Sequence, residues 1–254
     1  MSHGREGGRD TAASSPPTGN STLLIRKGRR SDVDRAAPLL YESSEPMAAA
    51  AFGLGDARCA LRAVERMYLL GGNLFAWDAC EVAEIDGRVV GVLASCRIGE
   101  MRGRNLATIG PLLRSLGPLR SLALLRRGLI PTGLGPRSMV PRALRRRGEP
   151  PMVNLAASSG HYINALAVAD KHRRLGIARR LVGRAHAAAS AEAPGSMVVN
   201  VFEFNAAARD FYRGLGYREV RRFEPKYPEF TGTSAAILTL QADLPGPKGR
   251  PALS

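Results

Sequence analysis

The feature that most constrains the fold of this chain is an apolar stretch, Tyr162 to Val168, that runs directly into a basic, glycine-containing turn and a helix-forming segment. The apolar stretch has the length and composition of a buried strand, and Leu175 to Ala189 has the spacing of an amphipathic helix. A strand followed at once by a helix is typical of α/β proteins, in which helices cover the faces of a sheet. The chain therefore needs further strands on either side of this unit.

Other segments supply those strands. Two apolar runs between Cys80 and Cys96 flank Asp86-Gly87, a pair suited to the positive φ angles of a tight hairpin turn. The same patterns predict the remaining elements, which in chain order are a strand at Thr22–Arg26, helices at Asp32–Tyr41 and Ala57–Leu70, a strand at Met197–Phe202, a helix at Ala206–Leu215 and strands at Arg218–Phe223 and Ser234–Leu240. This order predicts an α/β fold whose mixed central β-sheet is flanked by helices on both faces.

The ends of the chain and one internal segment depart from this pattern. Residues 1–21 and 243–254 are rich in small, proline and basic residues with little to bury, so we expect disordered tails there. Residues 98–160 separate the third and fourth strands and contain a Leu- and Arg-rich piece of rough helical period, Leu112 to Leu125. We predict one domain over residues 22–242, with residues 98–160 as an Arg/Leu-rich insertion.

The positive charge of the chain is concentrated in that insertion. Twelve arginines and two glutamates lie between Arg97 and Pro150, so this segment carries ten of the fifteen net positive charges. Basicity confined to one segment argues against nucleic acid as a partner of the whole fold. Two interpretations of the insertion remain open. Its leucines pack on the domain while the arginines face water, or it forms a lid or a basic surface for anionic ligands.

The cysteines and the apolar runs indicate the compartment. The three cysteines lack C-x-x-C spacing, which argues against a disulfide scaffold and a zinc site, so we expect no metal. The N-terminal residues have no apolar stretch of the kind found in secretory signals. No run of about 18 apolar residues is present, which argues against a transmembrane helix. A cytoplasmic location is the expectation.

The turn before the helix at Leu175 has the properties of a phosphate-binding site. The first backbone N–H groups of a helix lack intrahelical partners, and together with the helix dipole they attract anions. Gly176 and Ala178 leave the backbone open to a ligand, because neither carries a long side chain. Arg173, Arg174 and Arg179 add positive charge. A diphosphate is therefore the favoured ligand.

This turn resembles motif A of the GNAT acetyltransferase superfamily, whose pattern is Gln/Arg-x-x-Gly-x-Gly/Ala. The pattern matches at Arg173, Gly176 and Ala178. The resemblance implies that acetyl-CoA is the cosubstrate and that Leu166, Ala167 and Val168 lie along its pantetheine arm. It further implies that its pyrophosphate is held by main-chain amides of Arg174, Leu175, Gly176, Ile177, Ala178 and Arg179, and that Arg173 also belongs to the cosubstrate site.

A second motif of the same family follows at the expected distance. The stretch from Asn205 to Tyr217 is similar to motif B, Asn-x-x-Ala-x-x-Phe-Tyr followed by Gly-Phe/Tyr. Asn205 and Gly216 are also residue types that begin and end helices, which explains those two positions without a ligand. The resemblance nevertheless assigns Asn205 and Tyr212 to the cosubstrate site. The two motifs cover roughly Tyr162 to Phe223.

The family's chemistry implies roles for individual residues. A main-chain amide near Val168 would polarise the thioester carbonyl, and Tyr212 would donate a proton or a hydrogen bond to the CoA sulfur. Glu203, after the fifth strand, is a candidate general base, with Glu81 and Glu84 as alternatives. Tyr162 and Asn164 are candidates for orienting the acceptor. We expect direct acetyl transfer in a ternary complex.

The acceptor is left open by the sequence. A small-molecule amine and a protein or peptide amine both fit, a longer acyl-CoA is an alternative donor, and a homodimer is compatible with the chain. The alternative from a different class of protein is a CoA-binding module without turnover. Such a module would be regulatory, or would associate with nucleic acid or a membrane surface. The presence of both Asn205 and Tyr212 argues against such a degenerate site.

Overall fold

The computed structural model describes residues 22–126, 160–192, 195–225 and 231–245. Seven strands form one sheet in the order β1-β2-β3-β4-β5-β7-β6. Their bounds are β1 Leu23–Lys27, β2 Cys80–Ile85, β3 Arg88–Arg97, β4 His161–Val168, β5 Gly195–Phe202, β6 Arg218–Phe223 and β7 Ile237–Leu244. All neighbouring strands are antiparallel except β4 and β5, which are parallel. The sheet is therefore mixed, as predicted.

Six helices accompany the sheet in the described ranges. Their bounds are α1 Val33–Ser43, α2 Met47–Gly53, α3 Ala57–Leu69, α4 Met101–Arg126, α5 Ile177–Glu192 and α6 Ala206–Arg213. The first four contribute, with one face of the sheet, to a core that includes Leu40, Met67 and Leu112. The opposite face packs against α5 and α6 around Leu181 and Tyr212. Helices on both faces confirm the predicted α/β architecture.

The hairpin and most element positions follow the sequence prediction. Asp86 and Gly87 have φ angles of 49° and 76°, which is the geometry that the tight turn between β2 and β3 requires. Helix α2 was not predicted, because its seven residues, MAAAAFG, show no alternation of polar and apolar positions. Strand β7 continues to Leu244 and enters the range predicted as the C-terminal tail. Residues 1–21 and 246–254 lie outside the described residues.

The first part of the insertion belongs to the domain core. Leu112 and Leu116 are buried and Leu113 packs against the same core, so these leucines cover the domain as the first interpretation expected. Helix α4 is kinked at Gly117, whose φ of 72° is not helical. Neither α4 nor any other helix in the described ranges is long and apolar enough to cross a membrane. Residues 127–159 lie outside the described part, and so do the side chains of Leu119 and Leu122.

Close packing of α5 on the sheet depends on Gly91 in β3. A Cβ atom there would lie 3.2 Å from Ile177 Cγ2 and 3.3 Å from Leu181 Cδ1. We predict that Gly91→Val lowers the free energy of unfolding by about 1–3 kcal/mol, because the added methyl groups overpack this contact. Urea unfolding measures the change. Gly103→Ala is the control, since its Cβ would meet nothing within 4 Å on α4. Equal stability of Gly91→Val and the wild type would contradict the account.

Candidate active site

A cleft opens where the parallel strands β4 and β5 stop pairing. Their register contains only three pairs, and it ends at Ile163 and Val199. At this point β4 bulges, because Ala94 and Ser95 of β3 pair with Ala165 and Ile163 and leave Asn164 without an opposite residue. A bulge bends and twists the strand that carries it. The edge of β4 beyond Ile163 therefore faces an opening instead of a ladder with β5.

The cleft has a volume of about 350 Å³ and draws its lining from both faces of the sheet. Residues 162–168 and 199–202 form its strand walls. The α1–α2 connection contributes from one face, and the turn before α5 and helix α6 contribute from the other. Among the residues predicted from the sequence, the cleft is lined by Leu166, Ala167, Val168, Arg173, Ala178, Asn205 and Tyr212. In the described ranges, no group of three or more His, Cys, Asp or Glu residues is placed to hold a metal ion.

The turn between β4 and α5 presents free backbone donors. Helix α5 begins at Ile177, and the Arg180 N–H is the donor that reaches back to the Gly176 carbonyl, at 3.1 Å. The amides before Arg180 therefore lack intrahelical acceptors. Arg174 and Gly176 have φ angles of 63° and 76°, and a Cβ on Gly176 would meet nothing within 4 Å. The turn is thus shaped to leave space in front of its N–H groups.

The side chains of the same turn point in different directions. The Arg173 Nε donates to the Val168 carbonyl at 3.0 Å, which ties the guanidinium to the end of β4, and Arg173 also pairs with Asp170 at 2.7 Å. Ile177 is buried in the core, so only its main chain is available to a ligand. The remaining predicted side chains of the turn are exposed, namely Arg174, Leu175 and Arg179.

Tyr212 reaches the cleft from α6. The Ala208 N–H donates to Asn205 Oδ1 at 3.0 Å, so Asn205 begins the helix that carries Tyr212. The Tyr212 ring is 4% exposed and packs edge to face against Tyr217, with ring centroids 5.1 Å apart. Burial raises the pKa of Tyr212 far above the ordinary value for a phenol. The phenol is therefore neutral at neutral pH and able to donate a hydrogen bond.

The predicted general bases lie in ion pairs outside the cleft lining. Glu203 accepts from Arg222 Nε and Nη2 at 3.0 and 2.9 Å, and this pairing lowers the pKa of its carboxyl group. Glu84 pairs with Arg26 at 2.6 Å. Glu81 pairs with Lys27 and Arg184. The structure does not bring these carboxylates together with Tyr212, because arginine and lysine side chains hold them elsewhere.

Several cleft residues were not found from the sequence. The α1–α2 connection and the segment before β2 contribute Ser43, Ser44, Glu45, Met47 and Phe75. No motif marks them, and their place in the cleft follows from the packing of α1 and α2 on the sheet. Tyr162 and Asn164, expected to orient the acceptor, are also in the lining. Tyr162 is buried, and burial raises the pKa of its hydroxyl group.

Behind Tyr212, a histidine supports the neighbouring tyrosine. His186 Nε2 lies 2.7 Å from Tyr217 Oη, and burial lowers the pKa of His186. Below about pH 6.5 the unfolded chain binds a proton at this residue more readily than the folded chain does. We predict that the wild type loses stability relative to His186→Gln as the pH falls from about 7.5 to 5. Urea midpoints across this range measure the effect, and parallel curves would contradict it.

Comparisons with known proteins show which family this part of the chain resembles. Residues 146–219, which include β4, the turn, α5, β5 and α6, match the family model described as the acetyltransferase (GNAT) domain. This part of the chain is similar to a GNAT acetyltransferase domain. GNAT domains of this kind belong to acyltransferase enzymes, and N-acetyl transfer is the activity that the family indicates. The family expected from the two motifs is thereby confirmed.

Solved structures share the GNAT fold. An N-acetyltransferase from Staphylococcus aureus Mu50 superposes with a TM-score of 0.60 at 18% identity, over 86% of this chain and 100% of that chain. Another, described as an acetyltransferase, gives a TM-score of 0.50 at 17% identity, over 87% of this chain and 99% of that chain. At these identities the likeness establishes the fold. A search of curated proteins finds no match to the chain.

Proposed function

We propose that this GNAT protein transfers an acetyl group from acetyl-CoA to a primary amine within the cleft between β4 and β5. The observation that carries the proposal is that one opening is lined both by Arg173 and Ala178, beside the free N–H groups at the start of α5, and by the buried Tyr212. A diphosphate needs the first of these features, and a departing thiolate needs the second.

The donor is proposed to lie along the open edge of β4. The pyrophosphate would accept hydrogen bonds from the amides between Gly176 and Arg179, with Arg174 and Arg179 adding positive charge. The pantetheine arm would run past Leu166 to Val168, where backbone polar groups facing β5 have no ladder partner. Asn205 contributes by starting α6 and thereby placing Tyr212. This proposed position rests on the open space at Gly176 and on the backbone groups of β4 that have no ladder partner in β5.

The reaction requires three events at this position. A neutral amine attacks the thioester carbonyl carbon, the carbonyl oxygen becomes an oxyanion, and the C–S bond then breaks to leave the CoA thiolate. A main-chain amide near Val168 is the proposed partner of the oxyanion. Tyr212 is the proposed hydrogen-bond donor to the sulfur. Because the thiol has an ordinary pKa of about 8.5, a phenol of higher pKa stabilises the thiolate mainly by hydrogen bonding.

The amine also has to lose its protons. Glu203, Glu81 and Glu84 are each engaged by a basic side chain and lie outside the cleft lining. We therefore propose that water carries the proton away and that none of the three carboxylates acts as a dedicated base. Glu203→Gln would then retain the turnover of the wild type.

The experiment that tests the function is release of free CoA thiol from acetyl-CoA in the presence of a panel of amines. The proposal expects thiol release that depends on both the amine and the enzyme, with one acetyl group appearing on the amine for each thiol released. Binding of acetyl-CoA without thiol release for any amine, including peptide N-termini and lysine peptides, would identify a binding module in place of an enzyme.

A further inference from the structure

The charges of the cleft are divided between the two faces of the sheet. Among the described residues that line it, Glu45 is the one carboxylate and Arg173 the one cation. Arg173 belongs to the turn before α5, on the face that carries Tyr212. Glu45 belongs to the connection between α1 and α2, on the opposite face. A donor entering along Arg173 and α5 leaves the Glu45 side of the cleft for the acceptor.

The connection that carries Glu45 is held firmly. Ser43 Oγ and Ser44 Oγ both donate to the Leu40 carbonyl, at 2.8 and 2.9 Å, and close the end of α1. Pro46 lies against Gly232, where a Cβ atom would come within 2.8 Å of the Pro46 carbonyl oxygen. Glu45 is exposed, but its main chain lies in a connection that is fixed on both sides.

Glu45 also lacks a cationic partner within the described part of the chain. Its Oε1 accepts a hydrogen bond from the Tyr41 hydroxyl. Burial and this carboxylate together raise the pKa of Tyr41 to about 12, so Tyr41 stays protonated and continues to donate. The carboxylates Glu81 and Glu84, in contrast, are paired with lysine or arginine. Glu45 is thus available to a cationic ligand, while the hydrogen bond from Tyr41 restrains its position.

This arrangement restricts the class of acceptor. A carboxylate beside an amine stabilises the protonated form, which cannot attack the thioester. Glu45 therefore serves the reaction best when it binds a cationic group other than the reacting nitrogen. We propose that the acceptor is a diamine-type molecule, with one ammonium group bound by Glu45 and a second amine presented to the thioester. The inference rests on the proposed function and specifies its substrate class.

The test compares three amines that share a four-carbon chain, so that the acceptors differ in the charge of their far end but not in chain length. They are 1,4-diaminobutane, n-butylamine and 4-aminobutanoate, whose far ends are cationic, apolar and anionic. The wild type is expected to show kcat/KM values in that descending order. In Glu45→Gln the advantage of the diamine over n-butylamine falls about tenfold, as expected for loss of one charge-assisted hydrogen bond. In Glu45→Lys the order of diamine and amino acid reverses.

The matched control is Glu42→Gln, which removes the same charge from an exposed position on α1 that does not line the cleft. It should keep the wild-type order. Calorimetry with acetyl-CoA accompanies every variant and should give unchanged affinity. If acetyl-CoA binds but the wild type uses the three amines equally, or if Glu45→Gln keeps the preference, the inference is wrong. If the wild type binds no acetyl-CoA, the proposed function itself fails.

Discussion

Replacement of Tyr212 by phenylalanine is expected to lower kcat for acetyl transfer by about a hundredfold, the lower end of the range for loss of one positioned hydrogen-bond donor to a developing negative charge. The ring of Tyr212 packs between Phe211 and Tyr217, and phenylalanine preserves those contacts. Only the hydroxyl of this cleft-lining residue is lost. The affinity for acetyl-CoA should therefore change little, while the chemical step loses its donor to the sulfur. Steady-state kinetics and calorimetric titration separate the two.

Tyr217→Phe is the matched control for this prediction. Tyr217 is also 4% exposed and contacts Tyr212 through its ring, but its hydroxyl bonds to His186 and Tyr217 does not line the cleft. It should keep kcat within a few fold of the wild type. Full turnover by Tyr212→Phe, or an equal loss in both variants, would remove Tyr212 from the proposed mechanism.

Introduction of a carboxylate at Gly176 is expected to raise the Kd for acetyl-CoA by roughly a hundredfold, equivalent to about 2.7 kcal/mol. Two effects combine. A side chain at φ 76° strains the turn by about 1–2 kcal/mol, and its carboxylate would stand in the space before the N–H groups that the pyrophosphate needs. Calorimetric titration of Gly176→Glu with acetyl-CoA gives the change directly.

Two variants isolate the causes of that loss. Gly176→Ala carries the strain without the charge and should lose only part of the affinity. Gly183→Glu adds the same carboxylate two turns further along α5, where a Cβ meets nothing within 4 Å, and should bind acetyl-CoA like the wild type. If Gly176→Glu binds as well as Gly183→Glu, the pyrophosphate does not lie on this turn.

The sequence predicted the parts of the structure that depend on local signals. The apolar strand before Arg173 and the Asp86-Gly87 turn each carry their own pattern, and both are found where expected. Asn205 caps α6, as its residue type suggested. The wall of the cleft that β4, α5 and α6 form could therefore be predicted, because its residues lie in one continuous stretch of chain.

The opposite wall of the cleft depends on packing between distant segments. Glu45 is more than 100 residues from β4, and no local pattern distinguishes it from other exposed glutamates. Helix α2, which follows Glu45, has too little polarity to be recognised. The general base was sought among carboxylates near strands, yet Glu203 is turned toward Arg222 by the pairing of β6 with β7. Such side-chain pairings follow only from the folded structure.

The most direct test of the central claim is a crystal structure of the protein with acetyl-CoA. The account predicts that the pyrophosphate oxygens accept hydrogen bonds from the amides between Gly176 and Arg179, and that the thioester sulfur lies within hydrogen-bonding distance of the Tyr212 hydroxyl in the opening between β4 and β5. Acetyl-CoA bound away from this opening, or with its sulfur on the far side of the sheet from Tyr212, would contradict it.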